Sequence, residues 1–70
     1  MKINYDEQTD AAFIKLSENI PDGAVELDLG LIVHTTKDNR IVAIEILDAS
    51  KRFQISELFR FEVENLRYAV

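Results

Sequence analysis

Seventy residues leave room for one domain, spanning 1–70, and no Pro-, Gly- or Ser-rich run divides them. A hydrophobic fraction of 47% beside 30% charged residues belongs to a chain that folds, while a net charge of −5 speaks against direct binding to nucleic acid, whose phosphates call for lysine and arginine. There is no cysteine, so neither disulfides nor thiolate metal sites can reinforce a domain that buries only roughly 60% of its unfolded surface; association is the expected supplement.

From the amino terminus, Lys2–Tyr5 alternates as a strand and turns Ile3 and Tyr5 to one side. After a loop over Asp6 to Asp10, Ala11–Leu16 reads as a second strand, with Ala12, Ile14 and Leu16 on one face and Ala11, Phe13 and Lys15 on the other. Pro21-Asp22-Gly23 supplies a turn before a third strand, Ala24–Leu27. A three-residue loop, Asp28-Leu29-Gly30 with Gly30 in the left-handed conformation of a bulge, would then pair Leu27 with Leu31 and Val25 with Val33. The fourth and fifth strands, Leu31–Thr36 and Ile41–Ile46, flank Lys37–Arg40. A two-residue type I′ turn at Asp38-Asn39 would pair Thr35 with Val42, Val33 with Ile44 and Leu31 with Ile46.

Beyond the fifth strand a short helix is expected near Ala49–Leu58, capped by Asp48 or Ser50, followed by a sixth strand from the alternating Phe59 to Glu64 onward. The competing pattern, Ile55, Leu58, Phe59, Val63, Leu66, Ala69 and Val70, is that of one amphipathic helix. The expected fold is therefore mainly β (α+β): an antiparallel β-meander of five to six strands with one short helix. No apolar run approaches the ~20 residues of a membrane span or the ~7 of a signal peptide core, and a cytoplasmic protein is expected.

The run Tyr5-Asp6-Glu7-Gln8-Thr9-Asp10-Ala11-Ala12-Phe13-Ile14-Lys15-Leu16 resembles the opening of a family of short prokaryotic proteins known as domain of unknown function 2283. Glu26-Leu27-Asp28 with Gly30-Leu31-Ile32-Val33 resembles its third and fourth strands, and Ile41 through Arg52 is similar to its signature. Asn39 and Ala43 stand where glycines are common in that family, and His34 where an acidic residue often sits. The resemblance implies no established activity. Some relatives are encoded beside small toxin-like proteins, which suggests an antitoxin-like role.

Few residues suit catalysis. His34 is the single histidine, expected at the surface across from Ala43, and no phosphate-binding glycine loop, zinc motif or EF-hand spacing occurs. No cofactor is expected. Asp6, Asp10 and Asp48 are candidate ligands for Mg²⁺ or Ca²⁺, or candidate acids and bases of a hydrolytic site. Each also has a structural role to fill: Asx-turns for Asp6 and Asp10, a helix cap for Asp48, with Glu45 pairing to Lys15 or Arg52. The Val33/Ile44 side is the expected core. Phe13, Ile32, Ile41, Ala43 and Leu47 then form a second apolar face, to be covered in part by Phe53, Ile55, Leu58 and Phe59 or by an interface. A non-enzymatic protein-interaction module, homodimeric through that face or a sheet edge, is the expected function; an acid-dependent metal-binding or hydrolytic protein is the alternative.

Overall fold

The computed structural model describes residues 1–64. Five strands, β1 (Lys2–Asp6), β2 (Ala11–Lys15), β3 (Gly23–Asp28), β4 (Leu31–Thr35) and β5 (Ile41–Ile46), form one antiparallel sheet in the order β1-β2-β5-β4-β3. The mainly β class expected from the alternation is what the chain adopts. Only β3–β4–β5 runs as a meander, however; the β1–β2 hairpin docks on β5 rather than on β3. That docking sets Ile14 opposite Ile44 and Ala12 opposite Ile46, which extends the apolar rows of the meander. The link over 16–22 is long enough to pass β5 and β4 and reach the far edge, where the Asp22 N–H donates to the Thr35 carbonyl.

Both hairpins keep the expected central register and depart from it beside their turns. Val25 pairs with Val33 and Gly30 is left-handed at φ 82°, but Asp28, not Leu27, opposes Leu31, leaving Leu27 as the bulged residue. Val33 pairs with Ile44 and Leu31 with Ile46, whereas Thr35 meets Ile41 instead of Val42. The reason lies in the turn. The Asn39 N–H donates to the Thr36 carbonyl and the Thr36 N–H to the Arg40 carbonyl, with only Asn39 at positive φ. This four-residue turn replaces the two-residue type I′ turn and shifts the register by one, so Val42 becomes the extra residue of a bulge. Val42 is buried, and its carbonyl accepts the N–H groups of both Leu16 and Ser17.

The expected helix is cut short. A four-residue α1 (Ala49–Arg52) ends where Phe53 becomes extended, and a 3₁₀ turn, η1 (Ile55–Phe59), follows. Neither Asp48, which is left-handed at φ 52° and makes no side-chain cap bond, nor a residue inside α1 caps it locally. Residues 60–64 form no strand; the remainder of the expected sixth strand lies outside the described residues.

Extensive contact is confined to neighbouring strands. The fully buried apolar side chains among the described residues are Ala12, Val42, Ala43 and Ala49, all small, and the slab measures 18 Å along its shortest axis. It is a single-layered sheet with a thin core.

Candidate functional site: the two faces of the sheet

Side chains paired across neighbouring strands share a face, so the registers define each side row by row. One side carries Ile3, Ile14, Ile44, Val33 and Val25 in one row, and Tyr5, Ala12, Ile46 and Leu31 in the next, ending on Asp28 at the edge. Between β1 and β4 these rows hold no charge. This was the expected core, yet Ile14, Ile44 and Val33 are only half-buried, Ile3 is 37% exposed and Val25 53%. Of these two rows only Ala12 is wholly buried.

The other side alternates apolar with polar groups. One row runs Asn4, Phe13, Glu45, Ile32, Glu26 and the next Lys2, Lys15, Ala43, His34, Ala24. Of the expected interface set, Ala43 is wholly buried, Phe13 and Ile32 are half-buried between polar neighbours, and Leu47 lies past the end of β5, whereas the bulge at Val42 turns Ile41, paired with Thr35 and 51% exposed, to the Val33 side. The 16–22 link skirts this side. Phe13, Ile20, Pro21, His34, Val42 and Ala43 line a shallow groove of about 320 Å³ with Lys15 and Glu18 at its border. Phe53, Ile55 and Leu58 are half-buried, but Phe59 is 77% exposed and covers little.

His34 is half-buried, not superficial. Its Nε2 lies 3.1 Å from Glu45 Oε1, an ion pair whenever the imidazole is protonated, and its ring meets that of Phe13 at 5.6 Å and 55°. Glu45 thus pairs across β4/β5 with His34 rather than with Lys15 or Arg52. Lys15 instead meets Glu18 at 3.0 Å, which holds the Glu18 carboxyl below its ordinary range. Arg52 reaches the carbonyls of Leu47, at 3.2 Å, and Leu29.

The candidate acids do not gather into one site. The Asp6 carboxylate accepts the Gln8 N–H at 2.9 Å, the expected Asx-turn. Asp10 acts over a longer range: its carbonyl accepts the Ala49 N–H, Oδ1 accepts the Ser50 N–H at 3.0 Å, and Oδ2 accepts the Ser50 hydroxyl at 2.7 Å. The Tyr5 hydroxyl donates to Oδ1 at 2.6 Å. Asp10 is therefore the cap of α1, supplied from 40 residues away, and it leaves Asp48 only a backbone role. These hydrogen bonds, Tyr5 first and Ser50 second, pull the Asp10 carboxyl below its usual range; the same bond, with burial and carboxylate charge, pushes Tyr5 up to about 12. Among the described residues no three His, Asp or Glu side chains are disposed to hold a metal ion. The local sequence signal for this corner was slight: a left-handed Asp10, φ 54°, is tolerated by aspartate, but nothing in the run around it names Ser50 as a partner.

Two of the motif segments thus converge on this corner, the first through Tyr5 and Asp10 and the last through Ala49 and Ser50. A family model described as protein of unknown function (DUF2283) matches residues 2–50. The chain belongs to this family. The DUF2283 match takes in all five strands and ends at Ser50, so the matched unit is the sheet with its Asp10-capped corner, without η1. A protein of Methanosarcina mazei, provisionally named a hypoxanthine phosphoribosyltransferase, is 36% identical over 67 residues, covering 96% of this chain and 51% of that protein. The chain thus spans about half the length of the curated relative it matches. No solved structure matches it.

Proposed function

We propose that this DUF2283 member is a non-enzymatic protein-interaction module of the cytoplasm whose contact surface is the uncharged side of the sheet, from Ile3 through Ile14, Ile44 and Val33 to Val25. The observation that carries this reading is the incomplete burial of that side: Ile3 and Val25 are exposed at its two edges and Ile14, Ile44 and Val33 between them only half-buried. Antiparallel sheets commonly leave one face to water, but that face is then the one that alternates with polar groups. Here the alternating face is the other one. Contiguous exposed apolar area on a small chain marks a surface that meets a partner.

The relative's name does not carry over as an activity. Handling a phosphorylated sugar calls for backbone amides in a glycine-rich cradle and a positive field. The two glycines of this chain serve β3 and its hairpin, and the net charge is −5. An antitoxin-like role is one form the module takes if the partner is a toxin.

The test compares retention of partner protein by the tagged chain and by two variants. Val25→Lys places a charge on the apolar side and should release whatever the parent retains, whether a second copy or another protein. Ile32→Lys, on the alternating side, should retain it. If Ile32→Lys releases the partner and Val25→Lys does not, the contact surface is the alternating face with Phe13 and Ile32; if the parent is monomeric and retains nothing, the module reading fails.

A further inference from the structure

We infer that the occupant of the apolar side is a second copy of this chain, packed sheet on sheet as a two-fold β-sandwich; this rests on the reading of that side as the contact surface. The area is the first argument. Five strands about 4.8 Å apart and five residues of about 3.3 Å present a footprint of about 24 by 17 Å on each copy. Two such faces in contact, corrugated by upright side chains, remove on the order of 1,200 Å² from water, the lower bound for a stable specific interface.

Charge is the second. Each copy carries a net −5, so most ways of bringing two together set like charges against one another. Lys2, Asp6, Lys15, Glu26 and Glu45 all belong to the alternating side, and Asp28 marks the margin of the apolar rows. Joining the apolar sides leaves the first five of these groups in water and Asp28 at the rim of the contact.

The third argument is what the lone chain lacks. Among the described residues the buried apolar side chains are three alanines and a valine, whereas Ile14, Ile44 and Val33, on the three central strands, remain half-buried. A second sheet at about 10 Å, its strands rotated by about 30°, would bury those three at its centre. An isologous contact needs no surface beyond the one each copy already has, and it is present at the chain's own concentration, so folding and pairing become one equilibrium.

Sedimentation equilibrium and thermal melts of the purified chain from about 1 to about 100 μM test this directly. The expected result is a dimer mass with a melting temperature that rises with concentration. Val25→Lys and, at the opposite edge, Ile3→Lys change residues that are partly exposed in the single chain, and each should raise the dimer dissociation constant about 100-fold or more, while Ala24→Lys on the alternating side leaves it unchanged. A parent that is monomeric and cooperatively folded at the top concentration, melting independently of concentration, overturns the inference; so does a dimer indifferent to both edge variants. A monomer that retains a different protein, lost in Val25→Lys, overturns the dimer and leaves the module reading standing. A monomer that retains nothing overturns both.

Discussion

The apolar side of the sheet and the corner where the sheet meets α1 are built on opposite principles. At the corner, one carboxylate satisfies a phenol, a hydroxyl and a backbone amide, and the neighbouring carbonyl takes a second amide, so its directional bonds are already closed. On the apolar side the row from Ile3 to Val25 offers area rather than directional groups, and it is only partly buried. A small chain can complete its hydrogen bonds alone far more easily than it can bury an apolar face alone, because the first needs a few well-placed atoms and the second needs a second layer.

Substitutions scale that contrast. Ile44→Asp, which puts a charge at the centre of the apolar side, should cost about 3 kcal/mol or more in a urea melt, and a cost below about 1 kcal/mol would mean that this side is not buried in the functional state. Gly30→Ala tests the rim between them. A Cβ there would stand 3.2 Å from Arg52 Nη2 and 3.3 Å from Leu47 Cβ at φ 82°, so a loss of about 1–2 kcal/mol is expected, whereas Gly23→Ala, with open space around it, should be neutral or slightly stabilising. Asp10→Ala should lower the melting temperature on the order of 5 °C by uncapping α1. If it leaves the melt unchanged, the corner orients α1 without stabilising it. Glu45→Gln, on the alternating side, should stay within about 0.5 kcal/mol, since its pair with His34 is partly exposed.

Titration sharpens the same contrast, because one hydrogen bond at the corner shifts two groups in opposite directions. Asp10 has a folded pKa below its unfolded value, so its contribution is complete above roughly pH 4 and is lost as pH falls through the lower folded value. The difference in melting temperature between parent and Asp10→Ala should therefore be constant near neutrality and shrink in acid. Tyr5 has its folded pKa raised to about 12, so its contribution is complete below about pH 10 and is lost as pH rises through about 12. In a Tyr68→Phe background, the tyrosinate absorbance of the folded chain should appear near that value; a midpoint near 10 would mean that the Tyr5–Asp10 bond does not form in solution.

Strand identities, the sides on which Ile14, Val33 and Ile44 lie, and the left-handed Gly30 were all legible in the sequence, because alternation with period two and turn chemistry act over a few residues. The place of Leu27 as the extra residue of the first hairpin and the whole bulge beside the second turn escaped it, since a one-residue shift costs little in local preference and at the second turn depends on how Thr36 and Arg40 bond. Three matters belonged to the tertiary structure alone. β2 sits beside β5 rather than β3, Asp10 rather than Asp48 caps α1, and the side expected to be the core is only half-buried among the described residues. Each of these joins residues far apart in the chain, and no local preference ranks one distant partner above another; that choice is made by which apolar rows align and which backbone groups would otherwise go unpaired.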